Sequence, residues 1–264
     1  MNHANSSVIL IIPSASYRTN PFMDAATKLD LKVLVITDKS QVFSEYYPDN
    51  VITMNFEHWQ ESIENIREWS ERYDLKAVIG VDEESIILAA KLSESLCIEH
   101  NSLESVKLTK DKYLMRSELK KSGLKSPWFK RFSVHETPKD IFDELSFPCV
   151  LKPTFLSASQ GVLRVNSFEE FGKGCEMLSD LLAEEKVKKR GGDQANWILV
   201  EEYIPGKEVS IEGIVNDGKL KDLAIFDKPE PLEGPIFPET IFITPTILDE
   251  HLQFSLLETV RVYT

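Results

Sequence analysis

Glycine is scarce where a dinucleotide site would need it. The chain of 264 residues holds 11 glycines, and none lies in the loop Pro13 to Pro21 that follows its first apolar run. A pyrophosphate turn needs glycine for the tight bend and for close backbone approach, which argues against an NAD site there. Cysteine is also sparse. Cys97, Cys149 and Cys175 are odd in number and far apart, without CxxC or Cys/His spacing. That argues against structural zinc and a disulfide framework, and for a reducing, cytoplasmic setting. Positive charge is short, with 30 Lys and Arg against 43 Asp and Glu, a net charge of −13. A nucleic-acid surface wants clustered cations, so no nucleic-acid partner is expected. The apolar run Val8 to Ile12 is short and has no basic residues before it, so it is read as a buried strand, neither signal peptide nor membrane segment.

What is present is an ordinary globular balance, 42% hydrophobic and 28% charged, enough for one large or two modest domains. Strand-like runs at 8–12, 32–37, 51–54 and 77–81 alternate with helical stretches at 22–29, 57–73 and 84–96. This alternation predicts a parallel, doubly wound, Rossmann-like sheet over roughly the first 100 residues. Lys107 to Ser122 is predicted as one charged amphipathic helix, stopped by Gly123 and Pro127.

From Trp128 the pattern changes to short strands at 128–132, 149–152, 162–165 and 197–201, with a helix from Phe168 to about Lys189, a small α+β module. Strands at 208–215 and 220–226 flank an Asn216-Asp217-Gly218 turn, and His251 to Thr264 is predicted as a helix. Cys149, within Phe147-Pro148-Cys149-Val150-Leu151, is expected to be a core residue. The basic run Lys186 to Arg190 is expected to solvate a helix end.

Lys152 is the sharpest candidate. An ammonium within the apolar strand Val150-Leu151-Lys152-Pro153 is costly to bury unless it meets an anion. Either its charge neutralises phosphate oxygens or it snorkels outward from an edge strand, a position Pro153 favours. Phe155 to Gly161 follows at once. Its small hydroxylated residues and single glycine can present N–H and hydroxyl groups to phosphate, yet it lacks the P-loop order and also reads as a plain hairpin. Glu201-Glu202-Tyr203-Ile204 ends an apolar strand, where freed backbone groups can pair with an adenine edge. Glu208 can accept from ribose hydroxyls. Taken alone, each of these acidic residues reads first as solvated surface, and Lys112 as a surface lysine.

Their order, however, resembles the ATP-grasp superfamily, in particular its biotin-carboxylase and carbamoyl-phosphate-synthetase-like branch and its amino-acid-ligase-like members. Residues 107–127 are similar to the entry helix of that family, which places Lys112 as its first phosphate-contacting lysine and Lys152 as its second. Leu156 to Gly161, with Ser157, Ser159 and Gln160, matches the phosphate-covering loop. Glu201, Glu202, Tyr203 and Ile204 match the adenine hinge, and Glu208 the ribose-binding glutamate. The stretch Asp227 to Thr240 is similar to a loop on the acceptor side, with Lys228 and Glu239 as substrate candidates.

The resemblance implies an α/β chain: a Rossmann-like pre-ATP-grasp domain (1–103), a linking helix (104–130), a small α+β lid (131–204) and the first part of the C-terminal subdomain (205–264). It implies ATP, a small carboxylate and an amine as ligands, and a ligase reaction through an acyl phosphate. No metal ligand is assigned, because nothing after Thr246 fits the family's Glu-x-Asn-x-Arg pattern; Mg²⁺ ligands are expected beyond residue 264 in an intact member. Two alternatives stand beside the ligase: a nucleotide-binding protein without catalysis, and a biotin-carboxylase-like subunit. A homodimer and a cytoplasmic location are further expectations.

Overall fold

A computed structural model of the chain describes residues 6–39, 48–136, 144–230, 233–237 and 241–263. Two compact units divide it, Met1–Lys110 and Asp111–Thr264.

The first unit is built on a four-stranded parallel sheet of order β3-β2-β1-β4. Its strands are β1 (Ser6–Ile11), β2 (Lys32–Thr37), β3 (Val51–Thr53) and β4 (Asp74–Gly80). β1 is buried along its whole length, as its unbroken apolar run demands. Its residues alternate between two cores. Ile9 and Ile11 join Ile66, Trp69, Leu88 and Leu92 from α2 (Ile63–Arg72) and α3 (Ile86–Ser95). Val8, Leu10 and Ile12 pack with Phe22 and Met23 of α1 (Thr19–Lys28). Helices therefore cover both faces, and the sheet is doubly wound as the alternation predicts. The stretch expected as one helix from Glu57 begins instead as a 3-10 turn, Phe56–Ser62. Gly80 has no room for a side chain, since a Cβ there would meet the Ser85 carbonyl carbon at 2.7 Å.

The single helix predicted for 107–122 is two: α4 (Leu103–Lys110) and α5 (Lys112–Lys121). Asp111 is the cause. Its backbone is extended, and its carboxylate accepts from the amides of Tyr113 and Leu114, capping α5 where α4 ends.

The second unit holds an antiparallel sheet of order β5-β8-β6-β7. Its strands are β5 (Phe129–Ser133), β6 (Cys149–Pro153), β7 (Leu163–Val165) and β8 (Trp197–Glu202). One face carries Leu151, Leu163, Val165, Ile198 and Val200 into a core with Phe171, Leu178 and Leu182 of α6 (Phe168–Ala183). Cys149 is buried in that core, as expected. The helix predicted to run to Lys189 breaks at Glu184, whose ψ of 131° is not helical, and resumes as α7 (Glu185–Gly191). Lys188, Lys189 and Arg190 occupy its last turn, where cations complement the helix dipole.

A two-stranded hairpin follows, β9 (Val209–Asn216) and β10 (Lys219–Asp227). Asp217 and Gly218 both have positive φ, the turn that Asn-Asp-Gly predicts. The last helix, α8 (Glu250–Arg261), is capped by Asp249. Within it Glu258 pairs with Arg261, which suits a solvated helix residue. Among the described residues no helix is long and apolar enough to cross a membrane.

Candidate functional site

Strand pairing decides which side chains share each face of the second sheet. Glu201 lies opposite Val150, and Val150 opposite Arg164, so Glu201 and Arg164 stand in one row on the face away from the α6 core. Lys152, two residues along β6 from Val150, projects to the same face.

Lys152 is not on an edge strand, because β6 lies between β8 and β7. The outward snorkelling reading is therefore corrected. Its side chain is 14% exposed and forms an ion pair with Glu201, itself 5% exposed. Arg116 reaches the other carboxylate oxygen of Glu201 at 2.8 Å from Nε. Burial alone would raise the Glu201 carboxyl, but Lys152 and Arg116 together outweigh it and hold the group below the ordinary carboxylate range.

Glu201 departs from the expected hinge geometry. Its backbone stays inside the ladder, between Phe129 and Val150, and its carboxylate is committed to the two cations. The strand releases its backbone only after Glu202, which still pairs with Cys149 of β6 and whose amide donates at 2.9 Å to the carbonyl of Trp128, the residue before β5. Tyr203 and Ile204 lie beyond the strand, and Ile204 is 65% exposed.

Lys112 opens α5 and is held against the loop after β6. Its amide donates to Thr154 O at 2.9 Å, and its ammonium donates to Leu156 O. Asp111, buried, anchors this junction further by accepting from Gln194 Nε2 at 2.6 Å. The loop itself is wound tightly. Ala158, Ser159 and Gly161 all have φ between 52° and 70°, and Gln160 N donates to Ser157 O at 3.2 Å. Gly161 is required by packing: a Cβ there would lie 2.8 Å from Leu181 Cδ2 and 2.9 Å from Leu178 Cδ2. The single glycine thus serves the fold, whatever else the loop does. At the loop's start Thr154 Oγ1 is buried with no hydrogen-bond partner among the described residues, an unsatisfied group beside the two lysines.

Glu208 and Lys228, assigned separately from sequence to ribose and acceptor, pair with each other. Lys228 also sits 5.1 Å over the Phe242 ring. The neighbouring Asp227 is spent on structure, accepting from Thr246 Oγ1 and from Ile247 N, each at 2.7 Å. Glu239 lies outside the described residues. Among the described residues no group of three or more His, Cys, Asp or Glu side chains gathers to hold a metal ion.

Sequence reasoning missed Arg116, Asp111 and Arg164. Arg116 was within reach, since i, i+4 spacing places it on the face of α5 that carries Lys112.

Residues 145–262 match the family model described as an ATP-grasp domain. The chain is similar to alanine–anticapsin ligase of Bacillus subtilis (strain 168), 30% identical over 93% of this chain and 56% of that protein. It is 26% identical to phosphoribosylamine–glycine ligase of Listeria monocytogenes serotype 4b (strain F2365), over 69% of this chain and 42% of the relative. The chain thus spans about half the length of the curated relatives it matches. Among solved structures, an L-amino acid ligase from Bacillus licheniformis superposes with a TM-score of 0.76 at 24% identity, covering 98% of this chain and 61% of that one. An N5-carboxyaminoimidazole ribonucleotide synthetase in complex with ADP superposes with a TM-score of 0.68 at 17% identity, covering 98% of this chain and 62% of that one. These likenesses establish the α/β ATP-grasp fold.

Proposed function

For a chain whose residues 145–262 match an ATP-grasp domain, we propose a nucleotide site beside the buried Lys152–Glu201 pair of the second sheet and a carboxylate–amine ligase lineage. The observation that carries this reading is the convergence of Lys112, the Thr154–Gly161 loop and the Lys152–Glu201 pair on one junction. An acidic protein must concentrate positive charge locally to hold a polyphosphate. Here Lys152 and Arg116 meet a single buried carboxylate, and Lys112 is held against the loop of hydroxylated residues that follows Lys152.

In this reading Lys112 and Lys152 neutralise phosphate oxygens, and Ser157, Ser159, Gln160 and Gly161 cover them. The backbone of Glu202 to Ile204 pairs with the adenine edge, with Tyr203 beside it. Glu201 orients Lys152 and Arg116, while Glu208 accepts from the ribose hydroxyls. Lys228 and Glu239 serve the acceptor side. A small carboxylate attacks the γ-phosphorus and ADP leaves. An amine then attacks the acyl carbon, releasing phosphate and a proton. Lysines hold the developing phosphate charge, and water is excluded from the acyl phosphate by closure.

Mg²⁺ is implied by the family, but the described donor set does not fit it, so no step is derived through the metal. A second reading is that the chain binds nucleotide at this site without turning it over. Free thiols at Cys97, Cys149 and Cys175 support a reducing cytosol. A homodimer is also proposed, to be checked by sedimentation.

The experiment is ADP release from ATP with pairs of L-amino acids. Amino-acid-dependent release with peptide formation is expected of the ligase. Nucleotide binding without release selects the second reading, and release driven by bicarbonate alone selects a carboxylase-like activity.

A further inference from the structure

Arg164 makes more directed contacts than an edge-strand residue needs. It lies at the centre of β7, on the same face and in the same row as Glu201. Its guanidinium carbon sits 4.2 Å from the centroid of the Tyr203 ring, a cation–π contact. Nε donates to Asn166 Oδ1 at 3.0 Å, and a terminal nitrogen donates to Glu233 O at 2.8 Å. Its own amide donates to Pro235 O at 2.8 Å. The next pairing, Leu163 with Ile236, is an antiparallel bridge that extends the sheet edge by one partner. Gly234 makes this approach possible: its φ is +82°, and a Cβ there would lie 2.7 Å from Arg164 Cβ.

One side chain therefore grips the ring at the strand exit and the backbone of the 233–237 segment at once. A lysine could stand over the ring and donate one bond, but it lacks the planar fork that spans the ring, Asn166 and Glu233 together.

We propose that Arg164 is a positioning residue that couples nucleotide occupancy at the Glu202–Ile204 hinge to the seating of residues 233–237 on β7. The inference rests on the nucleotide reading given above. A base packed at the hinge fixes the Tyr203 ring. A fixed ring holds the guanidinium in one rotamer, and that rotamer holds Glu233 O. Ordering the acceptor-side segment then costs less once nucleotide is bound, which is positive coupling without a large movement.

The test is hydrogen exchange of the chain with and without ADP. In the unaltered protein ADP slows exchange at 202–204, at the Arg164 amide and at 233–237, by about fivefold or more. Arg164→Ala keeps ADP protection at 202–204 and loses it at 233–237, and Arg164→Lys restores part of it. Should Arg164→Ala fail to fold, Gly234→Ala attacks the same contact from the other side and loses the same protection. Retained ADP protection at 233–237 in a folded Arg164→Ala overturns the proposal. ADP protection confined to 202–204 in the unaltered protein overturns the coupling and leaves the nucleotide site standing. No ADP effect at either segment overturns both.

Discussion

Lys152 and Glu201, diagonal neighbours on adjacent antiparallel strands, form a buried ion pair, with Arg116 closing on the second carboxylate oxygen at 2.8 Å. Two candidate ligand-binding groups thus hold each other in place, and the site is organised by charges that are costly to leave alone.

Glu201 should govern acid stability. Its folded pKa is lowered, burial opposing the shift and Lys152 and Arg116 overcoming it. A lowered pKa gives stability that is full above the unfolded carboxylate value near ~4.3 and is lost as pH falls through the folded value. Glu201→Gln should cost about 3 kcal/mol at pH 7, with the gap to the unaltered protein closing below pH ~4. Denaturant midpoints across pH 7 to 3, read as about a four-unit series, check this; parallel curves contradict it.

Gly161→Ala should destabilise more than Gly123→Ala. Both glycines have φ near +70°, so both substitutions carry the left-handed penalty. Only Gly161 adds steric overlap, with Leu178 and Leu181 within 2.9 Å, whereas nothing lies within 4 Å of Gly123. A difference of about 1–3 kcal/mol by denaturant unfolding is expected. Equal costs would mean that the loop does not pack on α6 as described.

Thiol reactivity should split one against two. Cys97 is exposed, while Cys149 and Cys175 are buried. Burial pushes the Cys149 thiol to about 11 and that of Cys175 to about 12, the latter helped by its neighbours Cys149 and Glu176. A disulfide reagent at pH 8, about the usual range for thiol titration, should label Cys97 quickly and the other two only on unfolding. Fast labelling of Cys175 would contradict the packing of α6.

The fold was legible in sequence wherever periodicity was local. β1 reads as fully buried because its apolar run is unbroken, and the Asn216-Asp217-Gly218 turn announces its hairpin. What escaped were relations set by non-local pairing. Pro153 suggested an edge strand, but β7 pairs only with Cys149 to Leu151, so the proline occupies a stretch where one side of β6 is open although the strand is interior. The Lys152–Glu201 pair depends on β8 lying beside β6, which no spacing within either strand encodes. Asp111 looked like one more charge on a long helix, and only its extended backbone reveals it as a cap. Arg164 was invisible as a contact residue because its partners lie in segments far along the chain.

The measurement that bears most directly on the central claim is calorimetric titration of the chain with ATP, alongside Lys112→Ala and Lys152→Ala variants confirmed as folded. Saturable one-site binding, lost or weakened at least about tenfold in both variants, a change of ~1.4 kcal/mol each, is the result this account expects. Absence of binding, or equal binding in both folded variants, would contradict it.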